Sequence, residues 1–369
     1  MSSGITLQDR QSLVGSGGPF EVNTRFGTIE IPPQTAILPL VTNGGVDSLP
    51  AVTLTNQNTI SGLAISVTGD PVSGIFGDGV NGVLVQHCTI ASASATVFSF
   101  GIEFIGSTQG DLIFRDLTIS TFSEAGGSAG IYNEELFSGG DVLFENLTIS
   151  SITNTDISIG GAIVFDQDFA GRNFICRDSN VMGSHLGVAF FDFLQGNFIC
   201  QNNSIFTERK REDDDVGGAI LLGSFFNDSF FQGGDVVIEH NTIRSLESSA
   251  IQIPHMASNA RAIIQNNNVT GNDHALFVGS DSGSFSFHIL NNSLSSITDE
   301  AVSVGTSGAV DVRYWKNTSF AQGAPSDVLF DESGGGLLQV ESPNLSLSGV
   351  EALGEGSILA PGVTFIPFE

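Results

Sequence analysis

A short alternation of apolar and polar positions recurs down the chain. Asp111-Leu-Ile-Phe-Arg-Asp-Leu-Thr-Ile119, Asp141 to Ile149 and Asp235 to Ile243 are its clearest copies. Asn173 to Val181, Asn197 to Ile205 and Arg261 to Val269 repeat it, and weaker copies end at Ile60, Ile90, Leu294 and Phe320. Alternation of this length is the mark of a strand with one buried face. A second signature follows each copy: a small residue, then a short apolar run. It reads Gly62-Leu-Ala-Ile65, Gly101-Ile102, Gly130-Ile131, Gly160 to Val164, Gly187 to Phe190, Gly217 to Leu221, Ala250-Ile251, Ala275-Leu276, Ala301-Val302 and Asp327 to Leu329. A glycine turn opens many cycles, at Gly110, Gly139-Gly140, Gly171, Gly196 and Gly233-Gly234.

The cycle is therefore glycine turn, strand, Asn/Asp bend, short strand, loop, small-plus-apolar strand, loop. Its length varies from roughly 24 to 38 residues, as insertions into the loops of a solenoid allow. No segment holds a 3.6-residue period over helical length, so strands of successive cycles must pair with one another. Strands repeating in one direction pair in parallel, about 4.8 Å apart. The expected fold is all-β: a single-stranded parallel β-helix of roughly ten or eleven coils, a rod on the order of 50 Å long. Residues 1–50, with prolines at 32, 33, 39 and 50, read as an N-terminal cap with irregular first coils. Residues 51–347 carry the repeats, and 348–369 read as a C-terminal coil or cap.

One column stands out. Two positions before each closing apolar residue stand Asn58, Cys88, Leu117, Leu147, Ser179, Asn203, Asn241, Asn267 and Asn292, and the last repeat contributes Asn317, three before Phe320. Stacked asparagines can bond the backbone and the amide of the next coil, so Asn203 to Asn317 are expected to form a structural ladder. Some of these segments also match the Asn-x-Ser/Thr glycosylation sequon, at Asn146, Asn268 and Asn291. Recurrence in phase with the coil favours the turn reading.

Composition adds constraints. Forty-five glycines and 29 phenylalanines suit β structure with many turns. Twelve Lys and Arg against 40 Asp and Glu give a net charge of −28, which argues against nucleic acid and anionic membrane surfaces as partners. Nothing in the chain is long and apolar enough for a membrane-spanning helix. The N-terminus lacks the features of a secretory signal, so an exported protein would be represented here by a mature or excised piece. Three cysteines do not make a disulfide framework. Cys176 and Cys200 hold one place in adjacent coils and are expected as buried thiols, with Cys88 in another column.

Together these features resemble the right-handed parallel β-helix proteins of the pectate-lyase-like superfamily. Among them the chain is most similar to passenger regions of autotransporter-type adhesins and chlamydial polymorphic outer-membrane proteins. Gly-Gly-Ala-Ile, typical of the latter, occurs at 160–163 and 217–220, while the companion Phe-x-x-Asn occurs only at Phe20–Asn23. The resemblance implies a non-enzymatic scaffold on an extracellular or bacterial cell surface. Such a scaffold would be a monomer, without cofactor or metal, engaging a host or neighbouring-cell protein or glycan.

The alternative is a polysaccharide-acting enzyme. Hydrolases of this fold carry Asn-Thr-Asp, Asp-Asp, Gly-His-Gly and Arg-Ile-Lys. Here Asn154-Thr-Asp156 matches the first, Asp213 to Asp215 could supply a pair, and the last two motifs are absent. A lyase would need a basic residue beside calcium-binding acids; Arg172, Arg177 and Asp178 are the nearest grouping, and read more simply as an outer face. The densest charge run, Glu208-Arg209-Lys210-Arg211-Glu212-Asp213-Asp214-Asp215, lies in the longest cycle and is expected to project as a loop. It is a solvated excursion, a partner-binding loop or a cation site. Phe190 to Phe193 and Phe225 to Phe231 are either stacked core or an exposed ridge. The six histidines show no metal-ligand spacing, and His87 and His240 share a bend position.

Overall fold

The computed structural model describes residues 4–24, 27–33, 35, 37–43, 49–155, 160–192, 195–209, 217–223, 234–256, 260–280, 285–306, 310–324, 326–332, 337–341 and 350–353. Among them there is no helix, and the strands fall into three parallel sheets of 13, 14 and 11 strands. The chain visits the sheets in a fixed order and adds one strand to each per circuit, which makes it a parallel β-solenoid. Among the described residues the exceptions are Phe137–Ser138 and Phe169–Ala170, two short strands that join the 14-stranded sheet off its main path, and the antiparallel hairpin of Phe20–Thr24 and Gly27–Ile31. Wall 1 holds the opening strand of the repeat (Thr108–Arg115, Asp141–Glu145, Asn173–Arg177). Wall 2 follows the bend (Thr118–Ser123, Thr148–Thr153, Asn180–Gly183). Wall 3 holds the small-plus-apolar strand (Ser128–Asn133, Gly160–Phe165, Leu186–Phe190).

Alternation sends every second side chain inward, and parallel register stacks like on like. On wall 1 the inward file runs Phe114, Phe144, Cys176, Cys200, Ile238, Ile264, Ile289, Tyr314. Wall 2 supplies Ile65, Ile90, Ile119, Ile149, Val181, Ile205, Ile243, Val269 and Leu294. From wall 3 come Ile75, Ile102, Ile131, Ile163, Val188, Ile220, Ile251, Leu276, Val302 and Val328. All are nearly inaccessible to solvent and merge into one core. Phenylalanines thicken its middle: Phe114 stacks on Phe144 at 5.0 Å, Phe174 on Phe198 at 5.2 Å and Phe165 on Phe190 at 4.9 Å.

The recurrent small residue has a steric cause. It sits where wall 3 presses on the isoleucine file of wall 2. A Cβ on Gly101 would lie 2.5 Å from Ile119 Cγ2, and one on Gly130 would lie 2.4 Å from Ile149 Cγ2. Inward hydroxyls of wall 2 line the same corner, bonding one another, as Thr121 with Ser151 at 2.9 Å, and wall 3, as Ser151 with Ser128 at 2.9 Å.

Two ends of the repeat depart from the expected phase. Ile60 lies on wall 1 beside Val85, and the wall 2 file begins with Val41 and Ile65 instead. The misleading letters come from a second turn, at the entrance to wall 1. There Asn58 accepts from the Thr55 amide at 2.6 Å and donates to the Gln8 carbonyl at 2.7 Å. Gly62–Ile65 accordingly leads into wall 2, and the missing wall 3 copy is Gly74-Ile75. At the other end Phe320 pairs with outward Ser295 and is 61% exposed. The inner place is taken by Ser319, whose hydroxyl bonds that of Tyr314; the buried Tyr314 ring fills the interior that Phe320 would have filled. Ile5–Thr6, Ser12–Val14 and Leu40–Thr42 begin walls 3, 1 and 2, and Leu337–Glu341 and Val350–Leu353 end walls 1 and 3.

Candidate functional site

The bend between walls 1 and 2 is built from one repeated pair of residues. Its first member is left-handed: His87, Asp116, Asn146, Asp178, Asn202, His240, Asn266, Asn291 and Lys316 have φ of 52° to 59°. Asn, Asp and His tolerate that conformation best among residues with a side chain. The second member points inward. Asn203, Asn241, Asn267, Asn292 and Asn317 are at most 3% exposed and form one continuous file. Asn241 Oδ1 accepts from the backbone N–H of Asn203 at 2.8 Å and from its Nδ2 at 3.0 Å, while Asn241 Nδ2 donates to the Cys200 carbonyl at 2.9 Å. The same three bonds recur at Asn267, Asn292 and Asn317. Ser179 donates its N–H to Asn203 Oδ1 at 2.9 Å, so the file reaches one coil further. Leu63, not Asn58, precedes Cys88 in this column.

Cys176 and Cys200 are register partners, both buried and unbridged, as is Cys88. Burial pushes the Cys200 thiol up to about 12 and that of Cys88 up to about 11. Burial, with Cys200 alongside, also raises Cys176 well above the ordinary thiol value. Arg172 reaches Asp141 at 3.1 Å and Asp111 at 3.4 Å on the outside of wall 1, and Glu145 takes both Arg115 and Arg177. These ions hold one another across coils. Phe190 is core, and Phe191 packs partly buried on the outside of wall 3. Phe193 and Phe225 to Phe231 lie outside the described residues. So does Asp156, while Asn154 is exposed at the exit of wall 2.

Glu208 and Arg209 leave wall 2 with their amides on the Ser184 carbonyl, at 3.2 and 2.7 Å. Lys210, Arg211, Glu212, Asp213, Asp214 and Asp215 lie outside the described residues. Among those described, no group of three or more His, Cys, Asp or Glu is placed to hold a metal ion. Ser249, His274 and Glu300 stand in file at the entrance to wall 3, at 3.2 and 3.8 Å. Burial lowers His274, opposed by Asp299, Glu300 and Asp273, and Ser249 is only 5% exposed.

The arrangement best suited to hold a ligand is on the outer face of wall 3, where Phe191 of the Phe190–Phe193 ridge packs but where the sequence points to no other binding residue. Phe76, Glu103, Tyr132 and Val164 share one outward column there. Phe98 stacks on Phe100 at 5.9 Å, and Phe100 on Tyr132 at 4.9 Å. The file of rings thus runs from an open end, with Phe98 47% exposed, to a buried apolar layer of Phe100, Ala129 and Val164. Carboxylates frame it. The Tyr132 hydroxyl donates to Asp166 at 2.9 Å, and the Ser73 hydroxyl donates to Glu103. Burial raises the Glu103 carboxyl above its ordinary value; the Ser73 bond opposes this and Glu134 adds to it. Burial, then Asp166, Glu134 and Glu103, also raise the Tyr132 phenol. The signal was present in the sequence. Aligning Gly74-Ile-Phe76, Gly101-Ile-Glu103 and Gly130-Ile-Tyr132 puts their third letters in one outward column. No family model, curated protein or solved structure matches the chain.

Proposed function

We propose that the protein is a non-enzymatic scaffold of an extracellular or bacterial cell surface. In this reading a glycan or surface protein of a host or neighbouring cell is held against the outer face of wall 3. The observation that carries it is the file Phe98, Phe100 and Tyr132 beside Glu103, Glu134 and Asp166. Flat aromatic faces take the apolar side of a sugar ring, and carboxylates accept its hydroxyls. A sheet locked in register holds such a set rigid, which lowers the entropic cost of binding. Three carboxylates in a chain of net charge −28 favour a neutral or basic ligand over an acidic one.

The test is binding to arrayed neutral and acidic glycans and to cell-surface extracts, followed by calorimetry. Phe98→Ala and Tyr132→Ala should each weaken binding by about 1–2 kcal/mol, roughly five- to thirtyfold. Binding unchanged in both variants, or none to any arrayed ligand, sinks the reading. The raised Glu103 carboxyl favours one second reading, a polysaccharide-acting enzyme with Glu103 as acid and Asp166 as the second carboxyl group. Release of product from the same glycans, lost in Glu103→Gln, would favour it.

A further inference from the structure

The outer face of wall 2 differs from the rest of the surface. Its eleven strands, from Leu40–Thr42 to Thr318–Ala321, contain one charged residue, Arg244. The chain as a whole carries 40 acids and 12 Lys and Arg. The first outward file of this face is Thr89, Thr118, Thr148, Asn180, Ser204, Thr242, Asn268, Ser293 and Thr318, all exposed. Beside it Ala91, Ser120, Ser150, Met182 and Phe206 make a second file. Leu40, Phe122 and Phe320 are exposed on the strands themselves, and Leu246 and Ile297 directly after two of them. Charges return at the borders, with Asp116 and Asp178 at the bend and Glu124, Glu208, Glu247 and Asp299 beyond the strands. Arg244, exposed next to Phe206 in that second file, is the one charge within the face; a centre otherwise uncharged, with exposed apolar side chains and a charged border, is the plan of a protein interface.

We propose that two copies of the chain dock through this face, wall 2 against wall 2. Two considerations select a second copy as the occupant. The first is area. Eleven strands about 4.8 Å apart, four to five residues wide at about 3.3 Å per residue, make a face of about 800 Å². That equals one partner's share of a stable interface of standard size. The second is charge. Two bodies of net charge −28 repel over most of their surfaces, and this face brings least charge to the contact. The contact is isologous, so the same residues serve both copies. Its sheets stack about 10 Å apart, as in a sandwich. This departs from the monomer suggested by the sequence, and does not rest on the ligand reading of wall 3.

Sedimentation equilibrium tests it. The parent chain should be dimeric at about 100 µM, and the dimer should tighten as salt screens the acidic borders. Ser150→Asp and, at an exposed threonine, Thr118→Asp, each placing charge in the contact, should weaken the dimer at least about tenfold. Ser286→Asp, the same change on wall 1, should leave it intact. A monomer at about 0.5 M salt overturns the proposal. So does a dimer untouched by both wall 2 variants, or one weakened equally by Ser286→Asp, when circular dichroism shows all three variants folded like the parent.

Discussion

Asn241 shows how much one side chain carries in a stack. Its carbonyl oxygen satisfies a backbone N–H of the coil before, and its amide satisfies a backbone carbonyl of that same coil. Removing the carboxamide leaves both groups buried without a partner, at about 1–3 kcal/mol each. Asn241→Ala should therefore cost about 2–6 kcal/mol. Asn291→Ala, at the left-handed position of the same kind of bend, should cost only about 1–2 kcal/mol of backbone strain. Denaturant unfolding of the two variants checks this; equal losses would show the file to be no more than a turn. The Asn column could be seen in the sequence because its letters recur at a constant offset from the strand. The Glu103 and Tyr132 patch could not be seen that way. Its residues share a place in the coil but not a chemistry, so no repeated letter marks the column.

At the scale of the element, each strand is set by which neighbour it must fit. Gly130 lies under the wall 2 file, where a Cβ would stand 2.4 Å from Ile149 Cγ2 and 2.7 Å from the Ala162 carbonyl oxygen. Gly305, on the same wall six coils later, has nothing within 4 Å of its own Cβ position. Gly130→Ala should thus destabilise by about 1–3 kcal/mol through overpacking. Gly305→Ala should be neutral or stabilise by up to about 1 kcal/mol, by restricting the unfolded chain. Melting temperatures of the two variants decide it, and a neutral Gly130→Ala would mean that the corner is looser than its distances state. Alternation and small residues made most strands legible in advance. The phase failed at Ile60 and Phe320, where a turn at the opposite end of wall 1 and the bulk of Tyr314 replaced the ordinary solution. Local letters describe a turn; which side of the strand it serves is decided by the neighbouring coil.

The whole molecule is a one-dimensional stack, so each coil is held mainly by the coils on either side. The strength of those contacts is uneven along the axis. Phe137, Phe144, Phe165, Phe169, Phe174, Phe190 and Phe198 are fully buried and interlock at centroid distances of 4.9 to 6.5 Å. The asparagine file takes over directly after them, from Asn203. The first coil has neither. Its strands Ile5–Thr6 and Ser12–Val14 are largely exposed, and Leu40 is 65% exposed. In a stack of this kind opening begins at the end with least burial and advances coil by coil, because a middle coil cannot leave without exposing two neighbours. Amide hydrogen exchange should therefore be fastest in Ile5–Thr6 and Ser12–Val14. Protection should be greatest in the wall strands between Phe137 and Ile243, with intermediate values across Thr89–Ser94. Uniform protection along the axis would show a single cooperative unit, and would mean that contacts between adjacent coils are nearly equal in strength despite their unequal burial.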